Sequence, residues 1–241
     1  MLINFVLMGK GGVGKTVVAS LLAQYYRSRS LNPVCIDTDP TNAAFAAYAA
    51  LGAEHLEIQK GEDIDPRQFD QLVERIMSET EPDRVMVVDN GSPTFLPLCS
   101  YLASNQVFPF LQEAGHEIRL HTPIAGGGSL DDTFNGFATL CDAFEDIPVV
   151  VWMNAHIGSL EREGVSLEQS SVYKTYARRI AAQIMLPALK KETFGHDMEA
   201  MLSARLTFEE ADASPAFSVM AKQRLRMIRR GIFLQLERAG L

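Results

Sequence analysis

The chain has 241 residues, of which 47% are hydrophobic and 22% charged, and it carries a formal net charge of −8. That balance is ordinary for a globular protein and excludes a disordered chain, a collagen and a coiled coil. The acidic total also excludes a protein coated throughout with cation for nucleic acid.

Residues 2–8 are apolar and run directly into a glycine loop. They read as a buried strand, and they lack the length and cleavage region of a signal peptide, so a cytoplasmic protein is expected. A helix is predicted over 15–27, then a strand over 33–36 and a second helix over 42–51. Asp65 as N-cap and Pro66 at the first helical position open a helix over 66–79. Strands are predicted at 85–88 and 118–120, a helix at 130–144 and a strand at 149–153. The polar stretch 155–171 reads as a surface excursion; a helix over 167–182, a strand over 184–186 and a helix over 217–238 complete the chain. No apolar run approaches the roughly 20 residues that span a bilayer. Short buried strands alternating with helices predict an α/β fold, a doubly wound, mostly parallel sheet flanked by helices on both faces. We expect residues 1–241 to form one such domain, closed by the basic helix at 217–238.

The loop after the first strand reads Gly9-Lys10-Gly11-Gly12-Val13-Gly14-Lys15-Thr16 and satisfies GxxxxGK[ST] between a strand and a helix. Its glycines let the backbone curl into a nest of N–H donors around a phosphate, and the helix N-terminus adds positive potential. In this motif Lys15 reaches the β- and γ-phosphates and the Thr16 hydroxyl ligates Mg²⁺. Asp37-Thr38-Asp39-Pro40 follows the second strand, and Asp39 with Pro40 and Thr41 suits the cap of the next helix. Arg84-Val85-Met86-Val87-Val88-Asp89 ends a buried strand in an aspartate, the pattern of a residue that holds Mg²⁺ through water.

Lys10 sharpens the reading. A lysine early in the loop resembles the deviant Walker A motif of the ParA/MinD family of ATPases, within the P-loop NTPase fold. The resemblance implies that Lys10 crosses a nucleotide-sandwiched homodimer to the partner's phosphates, as an arginine finger would. It implies a switch I at Asp37 and Asp39, with Asp39 orienting or deprotonating the attacking water and Asp37 near the metal. It also implies that Asn154, at a strand end, reads the adenine edge and that Pro187 packs on the base. The pair of prolines usual in switch II is replaced by Asn90-Gly91-Ser92-Pro93, a departure that touches γ-phosphate sensing, although Gly91 retains a backbone N–H. The stretches Asp89-Asn90-Gly91-Ser92-Pro93-Thr94-Phe95, His121-Thr122-Pro123-Ile124-Ala125-Gly126-Gly127-Gly128 and Val151-Trp152-Met153-Asn154 resemble the TraL proteins of bacterial conjugative plasmids, a branch of that superfamily. The function implied is a slow, dimeric switch ATPase in plasmid transfer or maintenance. A nucleotide-dependent adaptor that recruits a conjugation or secretion component with negligible turnover is the competing class. A small-molecule kinase or ligase-like relative such as a dethiobiotin synthetase is a further one, against which Lys10 weighs.

Cys35, Cys99 and Cys141 form no CxxC pair, so neither a disulfide framework nor a zinc site is indicated. A cluster-bridging pair is disfavoured because Cys141 falls inside a predicted helix. His116, His156 and His196 show no metal-like spacing, and His121 is expected to be packed or hydrogen-bonded. The charge is uneven: residues 174–241 hold 12 basic and 7 acidic side chains, net +5, leaving −13 on residues 1–173. Lys222, Arg224, Arg226, Arg229, Arg230 and Arg238 border an apolar stripe of Leu225, Ile228, Ile232 and Leu236. Such a helix serves an anionic membrane, binds DNA phosphates, or docks its stripe on the core with its arginines in water.

Overall fold

A computed structural model describes residues 1–60, 63–81, 83–161 and 167–241. β1 (Leu2–Val6) leads into α1 (Lys15–Ser28), β2 (Val34–Asp37), the short strand β3 (Glu54–His55) and a hairpin of β4 (Gln59–Lys60) with β5 (Asp63–Ile64). α2 (Phe69–Met77), β6 (Val85–Asp89), α3 (Phe95–Ser104), α4 (Val107–Glu113), β7 (Glu117–Ala125) and α5 (Leu130–Ala143) follow. The last third comprises β8 (Val149–Asn154), α6 (Ser171–Tyr176), β9 (Ile180–Leu186), α7 (His196–Ser203), α8 (Phe208–Ala213) and α9 (Val219–Arg238).

Seven strands pair in parallel in the order β3-β2-β6-β1-β7-β8-β9. On one face α2 to α5 bury Phe69, Leu98, Phe108 and Phe137; on the other α1, α7, α8 and α9 bury Leu22, Met201, Phe208 and Ile232. Helices on both faces make the sheet doubly wound, as predicted. Such a sheet places its ligand crevice at the carboxyl ends of the strands. Here the register aligns those ends: Val6 sits beside Asp89 and His121, Asp37 beside Asp89, and Asn154 beside Ala125 and Leu186.

A buried polar chain ties the central strands together. Trp152 Nε1 donates to His121 Nδ1 (3.0 Å), His121 Nε2 meets Asn4 Oδ1 (2.9 Å), and Asn4 Nδ2 donates to the Met86 carbonyl (3.1 Å). His121 is thus hydrogen-bonded in the core, as expected. The three cysteines are buried free thiols, and burial pushes Cys35 and Cys99 up to about 12 and Cys141 to about 11. Among the described residues no cluster of His, Cys, Asp and Glu is arranged to hold a metal on its own, and no helix is long and apolar enough to cross a membrane.

Two predicted helices are corrected. Residues 42–51 form turns that end in a short 3₁₀ segment, Ala49–Leu51. The reason is the Asp37 carboxylate, whose Oδ2 accepts the amides of Phe45 (2.8 Å) and Ala46 (2.9 Å) and so removes donors a helix needs. The helix predicted over 167–182 is broken into the 3₁₀ segment Leu167–Gln169, α6 and the 3₁₀ segment Ala177–Arg179, and β9 begins at Ile180. There the Arg179 guanidinium donates to the carbonyls of Cys141 (3.3 Å), Phe144 and Ile147 (2.6 Å), which turns the chain onto the edge of β8. The helix expected over 66–79 starts as a 3₁₀ turn, Pro66–Gln68, capped by Asp65, before α2 takes over. Part of the excursion predicted over 155–171, residues 162–166, lies outside the described residues.

α9 docks on the second face. Ser218 caps it by accepting the Ala221 amide (3.2 Å), and Leu225, Ile228, Ile232 and Leu236 are buried at helical spacing. The apolar stripe of the basic helix therefore faces the core.

Candidate functional site

The loop between β1 and α1 bends at Gly14, whose φ of +101 is open to glycine and strained for other residues. A side chain there would also meet the Asn154 amide at 2.9 Å. Lys15, the first residue of α1, is buried and folds back across the loop. Its ammonium donates to the Lys10 carbonyl (3.1 Å) and to Ser92 Oγ (2.6 Å). An ammonium has three N–H groups, so one remains for a ligand. Burial lowers the Lys15 pKa, opposed by Asp89 and Asp39.

Behind the lysine, the Thr16 hydroxyl donates to Asp89 Oδ2 at 2.7 Å. The other oxygen of Asp89 is buried and has no hydrogen-bond partner among the described residues. Burial pushes the Asp89 carboxyl up to about 7, with the Thr16 hydrogen bond opposing and the neighbouring Asp37 charge adding to the shift. An orphaned carboxylate oxygen beside a threonine hydroxyl is a donor set that fits a hard divalent cation such as Mg²⁺.

Asp37 is fully buried, and its carboxylate is engaged by three backbone amides, those of Asp39 (2.9 Å), Phe45 and Ala46. Burial raises its pKa against those three hydrogen bonds. It organises the loop that carries Asp39. Asp39 Oδ1 accepts the amides of Thr41 (3.0 Å) and Asn42 (3.2 Å), so it caps a turn where a helix was expected. Gly91 presses against it: a Cβ on Gly91 would lie 2.7 Å from the Asp39 carboxylate. The segment after β6 is locked by Thr94, whose hydroxyl donates to Asn90 Oδ1 at 2.6 Å, with Thr38 Oγ1 at 3.3 Å from the same oxygen.

Gly11, Gly12, Gly14, Lys15, Thr16, Asp39 and Ser92 line one cleft of about 430 Å³, which Arg205 also borders. A mainly apolar cavity of about 230 Å³ adjoins it at Gly12 and Gly14 and is walled by Asn154, Leu186, Pro187, Met198, Ile228 and Ile232. Asn154 and Pro187 are thus brought together beside the phosphate loop. The Asn154 side chain is anchored to the chain itself, Nδ2 donating to the Val13 carbonyl (3.0 Å) and Oδ1 accepting the His156 amide (3.2 Å), which leaves one N–H and one lone pair for a ligand. The Lys10 ammonium forms a half-exposed ion pair with Asp132, Nζ to Oδ2 2.7 Å, near the start of α5. The run Gly126-Gly127-Gly128 lies against Gly158, with the Gly127 amide on the Ser159 carbonyl at 2.9 Å.

Sequence reasoning therefore assembles the loop, Asp37, Asp39 and Asp89 at one strand-end edge, with Asn154 and Pro187 next to it. It misses Ser92, Asp132, Arg205 and the two isoleucines of α9. A serine in an irregular loop and a helix more than 200 residues from the glycine loop leave no local signal of that proximity.

Residues 5–202 match the family described as the CobQ/CobB/MinD/ParA nucleotide binding domain. Two Escherichia coli proteins named Protein TraL are each 46% identical over 240 residues, covering 99% of this chain and 98% of theirs. Among solved structures, the MinD cell division protein of Aquifex aeolicus is similar with a TM-score of 0.54 at 15% identity, covering 95% of each chain. The septum site-determining protein MinD of Pyrococcus horikoshii OT3, complexed with Mg-ADP, gives 0.53 at 15% identity over 95% of each chain. At that identity the likeness concerns the fold.

Proposed function

Since the chain belongs to the CobQ/CobB/MinD/ParA nucleotide binding domain family, we propose that it is an ATP-dependent switch that dimerises across nucleotide and hydrolyses it slowly. The observation that carries the proposal is the pairing of a complete phosphate loop with the Thr16–Asp89 hydrogen bond and the orphaned, buried second oxygen of Asp89. The loop amides from Gly9 to Thr16 and the free N–H of Lys15 bind the phosphate chain. Thr16 and Asp89 would hold Mg²⁺, which when bound would offset phosphate charge. Asp39 orients the attacking water and takes up its proton. The bond formed joins that water's oxygen to the γ-phosphorus, and the bond broken is the one to the β,γ-bridging oxygen, which leaves on ADP. Asp37 fixes the Asp39 loop, and Asn154 and Pro187 border the base. Lys10 leaves Asp132 to complete the site of a second copy.

The switch is expected to act in plasmid conjugation or maintenance, by the similarity to the TraL proteins. Its partners would be a second copy, a conjugation or secretion component and, through the arginines of α9, an anionic surface such as DNA or a bilayer. An adaptor with negligible turnover is the second reading. It is favoured by Lys10 being paired to Asp132 and by Asp39 capping its own loop. ATP turnover and nucleotide-dependent dimerisation of the wild type, Lys10→Ala and Asp39→Ala separate the two. Dimerisation that ignores the Lys10 substitution sinks the sandwich switch, and dimerisation without turnover selects the adaptor.

A further inference from the structure

α7 ends in a Schellman turn. The Arg205 amide donates to the Leu202 carbonyl and the Leu206 amide to the Met201 carbonyl, each at 3.1 Å. The residue just past the helix in this motif is in the left-handed conformation and is usually glycine. Here it is Arg205, with φ +54. An arginine held where its own backbone disfavours it is the kind of local strain that clusters at ligand sites.

The side chain has no carboxylate to account for it: among the described residues no acid pairs with Arg205. Its guanidinium lies 5.9 Å from the centroid of the Tyr48 ring, and one of its nitrogens donates to the Leu202 carbonyl at 3.2 Å. Tyr48 is buried, so the ring is a fixed platform. Arg205 itself borders the cleft shared by Gly12, Lys15, Thr16 and Asp39. The charge there is short of cation. Asp37, Asp39 and Asp89 gather around Lys15, and Lys10 is tied to Asp132. A nucleoside polyphosphate entering this cleft adds several negative charges to a site with one buried lysine.

We infer that Arg205 is a phosphate-binding residue of its own chain's nucleotide site, preset over Tyr48 at the border of the cleft to meet the phosphates. The inference rests on the nucleotide reading above. Its planar fork suits phosphate oxygens and gives a contact that a lysine does not reproduce.

The test uses the full-length chain with Mg²⁺ and fluorescently labelled ATP, with adenosine as an unlabelled competitor, at low and high salt. Arg205→Gly deletes the guanidinium and places the favoured residue at the left-handed position, so thermal stability is expected to hold or rise. Affinity for MgATP should fall about tenfold, the loss of one charge-assisted hydrogen bond, with Arg205→Lys intermediate. The loss should shrink as salt rises, and competition by adenosine should be unchanged. Wild-type affinity in Arg205→Gly overturns the inference alone, as does an equal loss for adenosine or a loss that tracks a lower melting temperature. A wild type that binds no nucleotide, indistinguishable from Lys15→Ala, overturns the nucleotide reading and the inference with it.

Discussion

His121 shows how one residue sets a measurable property of the fold. The Trp152 indole can only donate, so His121 Nδ1 must accept and Nε2 must carry the proton given to Asn4. The ring is therefore neutral, and burial, aided by the Arg119 charge, pushes its pKa down to about 3. A base whose pKa is lowered in the folded state adds stability that is present above its unfolded pKa near 6.5 and is lost as pH falls toward the folded value. The loss is about 1.4 kcal/mol per pH unit. His121→Gln, which keeps a donor and an acceptor, should make the fall in urea-unfolding free energy between about pH 6.5 and 4 shallower by about one proton. An unchanged slope would place the acid sensitivity elsewhere. Lys10 offers a second test at this scale. Its pair with Asp132 is half exposed and worth no more than about 1 kcal/mol. Asp132→Ala should leave the melting temperature nearly unchanged and tighten nucleotide-dependent self-association up to about fivefold, read by analytical ultracentrifugation. Weaker association would assign Asp132 to the interface itself. The glycine loop was legible because each of its residues is dictated by type and spacing. The places of Ser92 against Lys15 and of Arg205 at the cleft were not, because the tertiary fold sets them.

Among the elements, the central strands were legible because each is a short apolar run buried on both faces. β3 and the β4–β5 hairpin were missed because strands of two residues carry no periodic signal. α3 was overlooked because its apolar residues follow directly from a glycine–proline loop, and α4 because it is only seven residues long and carries Pro109. The false helix at 42–51 arose because local propensity cannot see the Asp37 carboxylate collecting its amides. α9 was legible as a helix, but its place at the apolar cavity beside the glycine loop was not. Ile232 and Leu236 lie one turn apart on it, both buried, and only Ile232 walls that cavity. Each truncation to alanine should cost about 2–5 kcal/mol of stability. Ile232→Ala should in addition weaken ATP binding severalfold under conditions where both variants are folded, whereas Leu236→Ala should not. Equal effects on binding would separate α9 from the nucleotide site.

For the molecule as a whole, the net +5 of residues 174–241 already counts the acids that pair within the segment, Asp197 with Arg224 and Asp212 with Arg226, so the excess lies on the other cations. Arg29 reaches Glu237, while Arg230 and Arg238 stay exposed. Laying the apolar stripe of α9 on a bilayer would first expose Leu225, Ile228, Ile232 and Leu236. At about 1.5–3 kcal/mol for each large side chain, that is roughly 6–12 kcal/mol, comparable to the stability of an entire domain. Contact with an anionic surface should therefore be made by the docked helix through its exposed cations alone. Retention of DNA or of anionic vesicles is then expected at low ionic strength, to fall steeply between about 50 and 200 mM salt, and to be abolished by Arg230→Glu with Arg238→Glu. Vesicle binding that survives high salt and persists in that double variant would mean that the stripe leaves the core and inserts, and the docked helix would not be the state that meets the membrane.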